Sequence, residues 1–135
     1  MIPVKSIMTT KVISVHPYTP IEEALDLLTK HKISGLPVVD ECGMLKGILS
    51  EKDVLGILLN KNLDIHDTVG DYMSRSVVCF KEDDNAVDVC KFFMKTHFRR
   101  VPIVRDGKLI GIVSRRDIVS LICEVRSKIS EFRYA

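Results

Sequence analysis

Two stretches carry side chains whose types and spacing can do chemistry. Ser50 and Asp53 stand three apart in GILSEKDVLGIL, which begins at Gly47, and Ser114 and Asp117 stand three apart in GIVSRRDIVSLI, which begins at Gly111. Each pair follows a short apolar run and opens an apolar-periodic segment, so each is read as a strand-to-helix junction. There Ser-x-x-Asp can be a capping box, the serine accepting from a backbone amide three residues on while the acid reaches back. The same residues can also bind a ligand, because a carboxylate accepts two hydroxyls side by side and a helix N-terminus favours anions. The two roles can coexist. Between serine and aspartate, Glu51 and Lys52 of the first stretch become Arg115 and Arg116 of the second.

That change belongs to a wider bias, since all eight arginines lie at or after Arg75 while the first half uses only lysine. Arginine offers a flat fork of donors that grips carboxylate or phosphate at two points, so the bias has either a chemical cause or none beyond drift between two halves. Arg99 and Arg100 stand just before Pro102, where the first half has Ser34 and Gly35 before Pro37. A net charge of +2 does not by itself argue for nucleic acid. A structural or nucleic-acid-binding adaptor that uses the basic second half stays as the alternative, although the arginines are not interleaved with aromatics. Phe92, Phe93 and Phe98 read as core positions.

Catalysis finds little support. Neither serine lies in a GxSxG elbow or near a histidine in sequence, and no thiol has a histidine or acid at suggestive spacing, so no enzyme is expected. The four cysteines, Cys42, Cys79, Cys90 and Cys123, are widely spread with no CxxC, which suggests neither a disulfide framework nor a zinc site. They are expected to be reduced thiols, mostly buried. With 46% hydrophobic and 28% charged residues over 135, the chain reads as one compact globular unit. No apolar run approaches the roughly 20 residues that cross a bilayer, and MIPVKSIMTT lacks a signal-peptide layout, so no membrane association and a cytoplasmic location are expected.

An internal repeat organises all of these features. Val4, Met8, Val12, Lys30, Pro37 and Val39 recur 65 residues later as Val69, Met73, Val77, Lys95, Pro102 and Val104. After the loss of one residue in a turn, Gly43, Leu45, Gly47, Ile48, Ser50 and Asp53 recur 64 residues later as Gly107, Leu109, Gly111, Ile112, Ser114 and Asp117. The first repeat is placed at 1–60, a linker at 61–68, the second repeat at 69–123 and a helical tail at 124–135.

Each half reads as strand, helix, strand, strand, helix. KVISV and SVVCF supply the first strands; LPVV and VPIV are short buried strands; turns at Asp40 to Gly43 and Asp106 to Gly107 lead into MLKGILS and KLIGIVS. Thr19, Pro20, Glu22 and Glu23 mark a helix start, after which Ile21, Ala24, Leu25 and Leu28 share a face. About 60 residues give only a marginal core. The expected fold is therefore α+β, two β-α-β-β-α halves packed sheet to sheet about a pseudo-two-fold axis, with two related clefts lined by both halves.

The chain resembles a tandem pair of cystathionine-β-synthase-type (CBS) domains, a Bateman module. The lead-ins VKSIM and VGDYM, the strands LPVVD and VPIVRDG, and above all GILSEKD and GIVSRRD carry the resemblance, from about Val4 to Cys123. It leaves only the tail EVRSKISEFRYA unmatched, as a stand-alone pair would. The resemblance implies a regulatory module that senses AMP, ADP, ATP or another adenosyl compound such as S-adenosylmethionine in the inter-repeat clefts, acting on an unidentified regulated protein. It also implies a dimer of modules, which the apolar residues on more than one face of the helices after Ser50 and Ser114 favour. Carried over residue by residue, one cleft joins Ser50 and Asp53 to Val77, Val78, Arg99, Arg100 and Arg116. The other joins Ser114 and Asp117 to Val12, Ile13, Ser34, Gly35 and Lys52. The arginine-rich cleft would then suit phosphate, and its companion a less charged adenosyl group.

Overall fold

A computed structural model describes the backbone of residues 1–60 and 66–134, with side chains through Glu131. The linker expected at 61–68 lies, for residues 61–65, outside the described residues. The elements run α1 (Ile21–His31), β1 (Gly35–Val39), β2 (Leu45–Ser50), α2 (Glu51–Leu59), α3 (Val69–Tyr72), β3 (Phe80–Lys81), α4 (Ala86–Lys95), β4 (Arg100–Arg105), β5 (Lys108–Ser114) and α5 (Arg115–Tyr134). The tail continues α5 without a break.

β1 and β2 pair antiparallel, and β4 and β5 repeat that hairpin, with β3 added parallel to β4. The two hairpins share register and irregularity: Gly35 opposes Ser50 as Arg100 opposes Ser114, and the register slips at Val38/Val39 as at Ile103/Val104. Gly43 and Gly107 turn the hairpins at φ of 81° and 80°, a left-handed conformation natural to glycine. In the longer first turn, the Met44 backbone N–H, with that of Cys42, donates to Asp40 and holds its carboxyl below the usual carboxylate range.

The leading strands are shorter than expected. KVISV keeps one bridge, Val15 to Val38, and SVVCF contributes only Phe80 to β3. β-Branched residues favour a pleated surface but do not supply a pairing partner. The backbone before Val15 and Phe80 instead runs along the clefts described below. The start of α1 also differs. Pro20 occupies the cap position without a side-chain bond, and Thr19 Oγ1 accepts from the His16 N–H, closing the preceding turn.

Alternation along the strands sends Leu36 and Val38 into one core with Val15, Ala24, Leu28 and Leu49, and Val101 and Ile103 into a second with Val89, Phe93 and Val113. The intervening residues Pro37, Ile48, Pro102 and Ile112 face one another across a gap of about 40 Å³, so sheet faces sheet. Each core is completed by the lead-in of the other repeat. Val4 is buried in the second core, Val69 and Met73 in the first. Thr9 pairs with Ile112, and Ser74 with Ile48, through reciprocal backbone bonds of 2.8–2.9 Å.

This exchange explains the glycines of both repeated stretches. A Cβ on Gly47 would lie 2.5 Å from the Ser74 carbonyl oxygen, and one on Gly111 would lie 2.6 Å from Met8 Sδ and 3.1 Å from the Thr9 carbonyl oxygen. Gly47→Ala must displace backbone, and is expected to destabilise the fold by about 1–2 kcal/mol, the cost of mild overpacking. Urea unfolding measures it; an unchanged midpoint would mean that the lead-in yields freely.

The thiols are more exposed than expected. Cys42 sits on a turn, Cys79 on the unpaired segment and Cys123 on an open face of α5, all exposed, and only Cys90 is half-buried against the second core. No helix among the described residues is long and apolar enough to cross a membrane.

Candidate functional site

Both Ser-x-x-Asp sequences form capping boxes. Asp53 Oδ2 accepts from the Ser50 N–H at 2.8 Å and from Ser50 Oγ at 3.0 Å, while the Asp53 N–H donates to Ser50 Oγ at 3.3 Å. At the other junction the Ser114 N–H donates to Asp117 Oδ2 at 2.7 Å and the Asp117 N–H to Ser114 Oγ at 3.2 Å. In each case the cap uses Oδ2, and no described residue donates to Oδ1. One oxygen caps the helix and the other can accept from a ligand. The box alone is not a site, since Thr68 and Asp71 form a third at the start of α3 and border none of the cavities described here.

What distinguishes the first two boxes is the space they face. Ser50 and Asp53 border a cavity of about 370 Å³ whose other walls include Val77, Val78 and Arg100. That volume lies within the range of small-molecule sites. Lys52, assigned from sequence to the companion cleft, borders this one. Ser114 and Asp117 border a smaller cavity of about 200 Å³ with Val12, Ile13, Gly35 and, again, Arg100. A third cavity of about 500 Å³ shares Arg100 with both and is bordered also by Lys32, Ser34, Glu51, Arg99, Arg115 and Arg116. The arginine cluster thus stands beside the first cleft, in the adjoining basic cavity, with Arg100 reaching into both.

Sequence reasoning missed two aromatic walls. Phe92 and Phe98 line the first cleft, their rings stacked at 5.9 Å and 10°. Phe98, expected in the core, is 49% exposed, as is Val78 at 51%. The repeat offset carried the signal: Phe98 stands where the first half has Ile33, which borders the smaller cleft. Apolar side chains left open on facing walls suit a flat, apolar-faced group between them.

The second-repeat arginines divide by role. Arg105 makes a bidentate pair with Glu82, at 2.7 and 2.6 Å, which holds the Glu82 carboxyl below its usual range. Arg115 donates to three carbonyl oxygens, of Phe98 at 2.9 Å, Phe93 at 3.0 Å and Thr96 at 2.7 Å, and its guanidinium lies 5.9 Å from the Phe93 ring. Among the described residues, no carboxylate pairs with Arg99, Arg100 or Arg116.

Comparison with known proteins bears on the family and the fold. The family description "CBS domain" matches twice, at residues 4–60 and 69–124. The chain belongs to the CBS domain family. This CBS pair is similar to the crystal structure of CBSX2 of Arabidopsis thaliana in complex with AMP, at 33% identity and a TM-score of 0.84, over 93% of this chain and 99% of that one. It is similar also to the CBS pair of protein MJ0100 in complex with 5′-methylthioadenosine and S-adenosylmethionine, at 33% identity and a TM-score of 0.77, over 90% of this chain and 96% of that one. Among curated relatives, protein MJ1225 of Methanocaldococcus jannaschii is 31% identical over 89% of this chain, but the chain spans only 42% of that protein's length. It spans 59% of chloroplastic CBSX2.

Proposed function

We propose that this CBS pair is a regulatory module that binds an adenine nucleotide, AMP, ADP or ATP, or another adenosyl compound such as S-adenosylmethionine, in the clefts between its repeats. The observation that carries the reading is the Ser50–Asp53 cleft. Asp53 caps the helix through Oδ2, which leaves Oδ1 to accept from vicinal hydroxyls, and it borders one cavity with the apolar Val77, Val78 and Phe98 and with Lys52 and Arg100, which suit phosphate. The ligands named with CBSX2 and MJ0100 share the adenosyl group that such a cleft would recognise. The role is binding rather than catalysis, and the regulated partner would respond to occupancy.

A ligand that binds only the folded state raises its melting temperature. A thermal-shift panel is expected to show a rise with AMP or another adenosyl ligand and none with the matched guanosine compound. A flat panel at millimolar concentration, with salt-dependent retention of RNA or DNA, would favour the basic adaptor instead.

Assembly follows from the outer helices. Leu55, Leu58 and Leu59 of α2 and Val119 and Ile122 of α5 are exposed, Leu58 by 89%. A second copy would cover both faces through one two-fold axis, giving a disc of four repeats. Light scattering at micromolar concentration is expected to report a dimer, and Leu58→Glu a monomer; a wild-type monomer would remove the proposal.

A further inference from the structure

Arg100 is the one described residue that borders the Ser50–Asp53 cleft, the Ser114–Asp117 cleft and the basic cavity. It opens β4 directly opposite Ser114, and no described residue pairs with its half-buried side chain. The pseudo-two-fold counterpart, opposite Ser50, is Gly35, which has no side chain to offer. Two symmetry-related clefts therefore share a single arginine. Each has one further cation of its own, Lys52 in the larger and Lys11 in the smaller.

We propose that Arg100 is a shared anion ligand for which the two clefts compete, so that phosphate-bearing adenosyl ligands bind them with negative coupling. The proposal rests on the adenosyl reading of both clefts. A phosphate in one cleft draws the forked donors of Arg100 to itself, and the second phosphate must bind with lysine alone. Coupling of this kind is reciprocal, whichever cleft fills first. A neutral adenosyl ligand has no use for the guanidinium and fills the clefts independently. Ligand charge, rather than adenosine itself, would then set whether one or both clefts are occupied.

Calorimetric titration of AMP and of adenosine into the full chain, into Asp53→Ala and Asp117→Ala, and into all three carrying Arg100→Gln tests this. Each aspartate variant leaves one working cleft and gives its affinity while the other is empty. The second AMP is expected to bind the wild-type chain at least about fivefold more weakly than those single-cleft affinities require, with adenosine additive. In the Arg100→Gln background AMP should bind more weakly in each cleft yet additively, and adenosine should be unchanged. Additive AMP binding in the wild type, undiminished negative coupling in Arg100→Gln, or one-to-one binding of both ligands overturns the shared arginine while leaving the adenosyl reading standing. Failure of every variant to bind either ligand overturns both.

Discussion

Asp53→Ala is expected to weaken AMP binding by about 1–3 kcal/mol, the loss that follows removal of a carboxylate hydrogen-bonding a ligand. Asp117→Ala should leave the tightest phosphate-bearing site largely unaffected. The two aspartates share the backbone bonds of the capping box, and Asp53 adds only one from Ser50 Oγ, so the difference is expected from their clefts. The cavity at Asp53 is about 370 Å³ and that at Asp117 about 200 Å³. The larger one also carries Phe92 and Phe98, while its companion has only Ile33, at the position equivalent to Phe98, and so it offers more surface to a purine. Both substitutions weaken a capping box, a cost expected to be about 1 kcal/mol or less in stability and similar at the two junctions. Affinities measured by calorimetry, with the variants folded, separate the effects. A larger loss for Asp117→Ala would reverse the assignment of the clefts.

Arg115→Ala is expected to lower stability by about 2–3 kcal/mol, although Arg115 lines no part of the Ser50–Asp53 cleft. The reason lies in how the two first helices of the repeats end. α1 closes with Lys32 in the left-handed conformation, its N–H returning to the Leu28 and Thr29 carbonyls. α4 ends at Thr96 in extended backbone, without that closure. Arg115 reaches back across 17–22 residues and donates to the carbonyls that remain. Hydrogen bonds to a charged group contribute about 1.5–3 kcal/mol each, and exposure of two of the three reduces the sum. The melting temperature should fall by roughly 6–12 °C. Arg115→Lys should recover only part of this, because one ammonium cannot fork across three carbonyls. A melting temperature within a degree of wild type would show that the helix end closes in another way.

The contrast between Arg115 and Arg116 shows where the sequence stops being readable. Side by side at a helix start, the two point about 100° apart. Both border the basic cavity, but Arg115 is spent on the end of α4 while no carboxylate among the described residues pairs with Arg116. Spacing alone could not assign them, because the assignment depends on an unclosed helix end in another element. The hairpins were legible, since LPVV with MLKGILS and VPIV with KLIGIVS carry both the apolar alternation and the turn residues that such pairs need. So were the capping boxes and the facing of sheet on sheet. The exchange of lead-ins was not. VKSIM and VGDYM are visibly equivalent, yet nothing local says that Val4 must fill the second core and Val69 the first. Gly47 and Gly111 held the clue, because a glycine inside a strand signals close approach of another backbone. Phe98 was read as core for want of the same tertiary information.

Chemical-shift perturbation of backbone amides on adding AMP tests most directly whether the inter-repeat cleft is a nucleotide site. Saturable shifts are expected at Ser50–Asp53, at Ser76–Val78 and at Arg100, the backbone that borders the larger cleft. Shifts confined to the arginine-bearing outer surface of α5, or none at millimolar AMP, would contradict it.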